Sequence, residues 1–220
     1  MSPTQALRAC GGLLIVGGVC LALFLIVHPY GEVAGAHVAH QRRWIPAHSF
    51  HFFGALFTLF GLIGLYLYQF ERSGKLGLAG FVLAFIGTAM FVGTGMITAF
   101  VWPVIADHDP SFVAEDGPMF NDVLTSGATL VTYVFLGVGY IVFGIAMLRA
   151  KTMPPPACWL LMVGVVLFSV PVEPVGPVPW FVRFSGAIVF GAALAWLGVA
   201  LRNATASSTA SSPVPARSPR

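Results

Sequence analysis

From Ala9 to Val27 the chain carries no charged residue. An apolar run of about 20 residues is what a helix needs to cross roughly 30 Å of hydrocarbon. A backbone in lipid must satisfy its own N–H and C=O groups, so such a run admits a helix and little else. The pattern recurs: 57% of the 220 residues are apolar and 9% are charged, against about 45–50% and about 25% in a soluble domain. The sequence therefore predicts an all-α polytopic membrane protein, a bundle of six transmembrane helices. The spans fall at about 9–28, 46–70, 76–105, 122–148, 157–172 and 180–201. They make one transmembrane domain, 1–202, followed by a disordered cytoplasmic tail, 203–220, of Ser, Ala, Thr and Pro with two arginines. The first run is longer than the apolar core of a signal peptide, and the cleavage-like Ala34-Gly35-Ala36 lies well beyond it, so it is read as a retained helix.

Charge sets the expected orientation. Eight of the eleven basic residues (Arg8, Arg72, Lys75, Arg149, Lys151, Arg202, Arg217 and Arg220) fall at the two ends and in the 2–3 and 4–5 turns. Only Arg42, Arg43 and Arg183 fall on the other side. An excess of Lys and Arg marks the cytoplasmic side, so both termini are expected there, in a bacterial cytoplasmic membrane. Seven of the eight acids and all six histidines then lie outside. The net charge of +3 is not gathered into a basic patch with a groove-reading module, so no nucleic-acid partner is expected. The expected partner is the lipid bilayer. Small residues four apart, Ala89 with Gly93 and Ala187 with Gly191 and Ala195, suit close helix contacts within the chain, in a helix-mediated oligomer or with a membrane partner protein. None of Cys10, Cys20 and Cys158 lies in a segment placed outside the cytoplasm, so no disulfide is expected.

A weak internal repeat accompanies this layout. Each outward-to-inward span carries an early Gly-Ala pair (Gly54-Ala55, Gly127-Ala128, Gly186-Ala187) and a basic residue at its inner end (Arg72, Arg149, Arg202). Three stacked helical hairpins, 1–2, 3–4 and 5–6, would produce that pattern, as would the ordinary composition of transmembrane helices.

The stretch His28 to His51 holds five of the six histidines. His48 and His51, three residues apart at the start of a helix, share one face with Ala55 and Thr58, while Phe53, Leu56 and Phe57 face elsewhere and suit lipid. Small residues below two imidazoles would let a neighbouring helix or a cofactor approach. His37 and His40 repeat the spacing in a segment read as a surface amphipathic helix, with Trp44 at headgroup level. The break Ala106 to Asn121 reads as an acidic loop with turn signals at Asp109-Pro110 and Gly117-Pro118. Neutral imidazole with carboxylate is the ligand set of several transition metals, which makes His28, His48, His51, Asp107, His108 and Asp109 the candidate metal ligands. A haem b held between His28 and His51 is the specific alternative. No HExxH or CxxC motif is present, and structural roles such as helix capping and satisfying loop carbonyls compete with both. The acidic loop would repel itself, so Arg183 is expected to pair with one of its carboxylates or with Asp122.

Three functions stay open on this reading. The first is an accessory, non-catalytic membrane protein with an outer histidine and carboxylate patch for a metal ion or haem. The second is a membrane oxidoreductase built on that patch. The third is a carrier for an uncharged or lipophilic small solute, consistent with spans that carry hydroxyls but almost no charge.

Overall fold

The structure, a computed structural model, describes residues 2–29, 42–114, 117–169 and 177–210. All regular structure among them is helical. Four stretches are long and apolar enough to cross a membrane: Pro3–Val27, Trp44–His108, Val123–Ala150 and Phe181–Ala206. His37, His40, Glu32, Glu115, Asp116 and the link 171–176 lie outside the described residues.

Helix α1 (Pro3–Val27) begins six residues before the uncharged run because Ser2 and Gln5 close a capping box. The Gln5 N–H donates to Ser2 Oγ at 3.2 Å and the Ser2 N–H donates to Gln5 Oε1 at 2.8 Å. Helix α2 (Trp44–Met96) runs for 53 residues and is broken at Gly74, at φ 55° and ψ −149°. That conformation is open to glycine and strained for any residue with a Cβ. A straight helix would set residues 15 apart about 22 Å from each other. Instead Tyr66 stacks on Phe81 with ring centroids 4.4 Å apart, so the limbs 44–73 and 75–96 fold back side by side.

A π-helical turn, Ile97–Val101, follows, then α3 (Trp102–His108), a 3-10 turn (Pro110–Val113) and α4 (Pro118–Asn121). The segment expected to be a loop, 106–121, therefore holds three short helical pieces. Helix α5 (Val123–Ala150) is capped by Asp122, whose carboxylate accepts from the Leu124 and Thr125 N–H groups at 2.8 and 3.3 Å. Helices α6 (Pro155–Ser169) and α7 (Pro177–Ala210) complete the chain. The helix expected to close at Leu201 continues to Ala210. Thr205 is buried there and its hydroxyl donates back to the Leu201 and Arg202 carbonyls. Only 211–220 of the expected disordered tail lies outside the described residues.

Neighbouring helices touch in a closed order: α1 on the first limb of α2, the second limb on α5, α5 on α6, α6 on α7 and α7 back on α1. The seam between α1 and α7 is set by paired glycines. A Cβ on Gly191 would strike the Gly18 carbonyl oxygen, and one on Gly198 would lie 2.5 Å from the Gly11 carbonyl oxygen. Backbones this close are how helices associate where lipid offers no hydrophobic drive. Leu14, Leu194 and Leu197, all fully buried, flank the seam. Of the three Gly-Ala pairs, Gly54-Ala55 and Gly186-Ala187 are buried in helix contacts. Gly127 meets nothing within 4 Å, so the third pair does not share the pattern.

Candidate functional site

The site lies where α1 ends and α2 begins. Helix α1 stops at Val27, and His28 caps it by donating its N–H to the Phe24 carbonyl at 3.0 Å. Across from it, the first turns of α2 bury His48 and His51 on the same face as Ala55 and Thr58, while Phe53 stays exposed. That places the apolar packing face where the helical phase of the sequence puts it.

The three imidazoles meet around Phe24. Its ring centroid is 5.6 Å from that of His28, 5.4 Å from His48 and 4.9 Å from His51. The His28 and His48 rings are 5.0 Å apart and those of His48 and His51 6.3 Å. Phe91, on the second limb of α2, packs on His51 at 3.8 Å. Carbonyl oxygens only accept, so the short Nδ1 contacts of His28 to Pro29 O (2.9 Å) and of His48 to Trp44 O (3.1 Å) fix the proton on Nδ1 in both rings. His51 differs. Its Nε2 is buried and makes no hydrogen bond of ordinary geometry, the Phe91 carbonyl being the backbone acceptor that the ring approaches.

Trp44 opens α2 and packs inward instead of lying on a surface helix. It is 2% exposed, stacks on His48 at 4.1 Å and donates Nε1–H to the Thr98 carbonyl at 2.8 Å. The π turn makes that carbonyl accessible: the Trp102 N–H bonds to Ile97 O, five residues back, instead of to Thr98 O. Trp44, Trp102, Ala106 and Val113 then form a small second apolar cluster beside the imidazoles.

Arg183, in the second turn of α7, reaches the same region. It donates from Nη2 to Tyr133 Oη at 2.6 Å, with its guanidinium carbon 5.3 Å from the centre of that ring. Among the described residues it makes no ion pair, so Asp107, Asp109 and Asp122 are not its partners, while Glu115 and Asp116 of the acidic loop lie outside the described residues. Asp122 caps α5, and Asp109 accepts from Ser111 N–H and Oγ–H at 3.1 and 2.5 Å. The guanidinium charge is felt at both His28 and His51. Burial pushes the His28 imidazole down to about 4, with the Pro29 hydrogen bond acting against that shift and the Arg183 charge adding to it. Arg183 Nε and Ser169 Oγ, like His51 Nε2, are buried without a partner. The rings of Phe91, Tyr133 and Phe168, 5.5 to 6.2 Å apart, lie among these groups.

Of the six candidate metal ligands, the structure brings His28, His48 and His51 together. Asp107, His108 and Asp109 are exposed at the end of α3 and do not join them. Among the described residues no group of three or more His, Cys, Asp or Glu is arranged to hold a metal ion. Phe24 fills the space between His28 and His51, so a haem plane there would require that ring to move. Sequence spacing alone did not single out Phe24, Ser169 or Tyr133. They reach the site through tertiary packing, and a phenylalanine or serine within an apolar span carries no local signal. The chain matches no family model, no curated protein and no solved structure.

Proposed function

We propose that this is an integral membrane protein of six crossings, paired antiparallel as three hairpins, with both termini in the cytoplasm and the histidine cluster at the outer end. The reversal at Gly74 supports two crossings within Trp44–His108, and the exposed apolar side chains along the helices suit lipid. In this reading the protein is accessory and non-catalytic, and it holds a small molecule among the imidazoles and aromatics. The observation that carries it is the buried, unpartnered Nε2 of His51. Leaving such a group unsatisfied costs about 1–3 kcal/mol, and in native proteins an orphan of this kind calls for a ligand, ion or water. Every described carboxylate (Glu71, Asp107, Asp109, Asp122) is exposed, so the cluster is made of imidazoles with no described acid among them. A carrier path through the middle finds little support: a Cβ on Gly80 or Gly87 would fall 2.5 Å from the α5 backbone, so these helices touch directly.

A metal ion is the second reading. It is favoured by the Nδ1–H bonds of His28 and His48 to carbonyls, the outer hydrogen bond that usually orients a metal-ligating imidazole. It is opposed by the Arg183 charge, which repels a cation. Native mass spectrometry with metal analysis and a visible spectrum, on detergent-purified protein, separates the two. An organic adduct in the wild type, lost in His51→Ala and kept when His37 and His40 are both replaced, supports the first reading. A stoichiometric metal supports the second, and a bare wild-type mass rejects both. For orientation, Glu71→Cys should resist an impermeant thiol reagent in intact cells and Ser111→Cys should react, in a background without native cysteines. The reverse labelling would invert the topology. Ser73 is unsuitable as a probe because its hydroxyl is buried.

A further inference from the structure

Three buried polar groups without partners belong to three different helices: His51 Nε2 on α2, Ser169 Oγ on α6 and Arg183 Nε on α7. All three are able to donate, His51 as its Nε2–H tautomer. Arg183 has five N–H donors, and its one hydrogen bond among the described residues goes to the neutral Tyr133 hydroxyl. The guanidinium lies against the Tyr133 ring, and among the described residues no carboxylate pairs with it. Donors from several helices, a fixed positive charge and no described anion form the complement of an oxyanion.

The surroundings specify the remainder of the ligand. Phe24 and Phe91 pack against His51, and Phe168 packs against Phe91. On the exposed side of the same turn of α7, Leu167, Phe181, Val182 and Ser185 line an apolar groove of about 330 Å³. The groove is open, with Phe181 exposed on the side of the helices that suits lipid. A hydrated anion would gain nothing from such a groove, whereas an acyl chain would fill it.

We infer that the molecule held at this end is an amphiphile with an anionic oxygen headgroup, in which Arg183 supplies the charge and His51 and Ser169 supply further hydrogen bonds. This rests on the reading of the cluster as a ligand site. The headgroup oxygens accept from Arg183, the orphaned nitrogen of His51 and the Ser169 hydroxyl. The chain lies along α6 and α7.

The test uses the full chain purified in a neutral detergent, with its thermal midpoint titrated against three additives: phosphatidic acid, phosphatidylcholine with the same chains, and inorganic phosphate. Phosphatidic acid should raise the midpoint in a saturable manner and the other two should not. Arg183→Gln should weaken the apparent affinity about 10- to 100-fold, the loss of a charge-assisted hydrogen bond. Arg183→Lys should recover part of it, and His51→Leu should weaken it by about tenfold. Equal stabilisation by phosphatidylcholine, or an unchanged response in Arg183→Gln, overturns the anionic headgroup while leaving a held molecule in place. A response to inorganic phosphate alone overturns the amphiphile. No response to any additive, with a bare wild-type mass, removes both this inference and the reading beneath it.

Discussion

Placing a methyl group on Gly191 tests the packing that holds the first and last helices together. In Gly191→Ala the new Cβ would run into the Gly18 carbonyl oxygen and lie 3.1 Å from both the nitrogen and the Cβ of Ala22. All of these are main-chain or first-carbon atoms, so no side-chain rotation relieves the contact and the helices must part by about 1 Å. A gap of that size forfeits about a third of each dispersion contact. Over roughly 40 atom pairs at ~0.15 kcal/mol, the loss is about 2 kcal/mol. Alanine returns ~1 kcal/mol of helix propensity, while the strain of overpacking adds about 1 kcal/mol or more. The net expectation is a loss of about 2 kcal/mol or more, or at least roughly 4–8 °C in thermal midpoint for a chain of this size. Gly93→Ala is the control, because nothing lies within 4 Å of its Cβ. There only the propensity gain operates, and the midpoint should rise by about 2–4 °C. The assay is a melt of both variants in the same detergent. A Gly191→Ala protein as stable as Gly93→Ala would refute the backbone contact.

Three further outcomes follow from named contacts. Gly74→Ala should cost about 1–3 kcal/mol although no atom stands in the way of its Cβ. An unchanged melt would mean that the reversal does not depend on the positive φ. At the buried Thr88–Tyr140 pair, 3.0 Å apart, Tyr140→Phe should cost less than Thr88→Val. Thr88 keeps its 2.7 Å bond to the Ala84 carbonyl, whereas an abandoned tyrosine hydroxyl loses the Thr88 hydroxyl as its partner at a cost of about 1–3 kcal/mol; the opposite ranking would count against the pair. His28, held down to about 4 against about 6.5 for a free imidazole, contributes stability that is complete above pH 6.5 and lost as the pH falls toward 4. The melt of the wild type should therefore decline over that window with a slope below about 1.4 kcal/mol per pH unit, more steeply than that of His28→Gln. Parallel curves would remove the assignment.

Much of the helical layout is written in the sequence because lipid leaves a backbone few choices. The uncharged run Ala9 to Val27 could hardly be anything but helix, and the phase of His48, His51, Ala55 and Thr58 already marked the face that packs inward. Gly74 was legible only as part of a polar turn, Glu71 to Lys75. That helical hydrogen bonding continues on both sides of one residue depends on a backbone angle that composition does not encode. The site divides in a similar way. His28 lies at the end of one helix and His48 and His51 at the start of the next, so chain connectivity brings them close. Arg183 was expected to seek a carboxylate because charge is visible in a sequence. Its actual partner, Tyr133, is 50 residues away and was hidden among spans of similar hydropathy. The packing of Trp44 was hidden for a related reason: its partner is a carbonyl released by a π turn, and π turns have no dependable sequence signature.

The central claim is that the orphaned donors of His51, Ser169 and Arg183 face a bound molecule. The direct measurement is an experimental density map of the protein purified in mild detergent or a lipid nanodisc. Density belonging to no residue of the chain, within the roughly 2.7–3.2 Å of a hydrogen bond from His51 Nε2 and continuous toward Arg183, is the predicted result. A map in which His51 Nε2 bonds to another protein atom and the Arg183 guanidinium turns outward to the headgroups would contradict it.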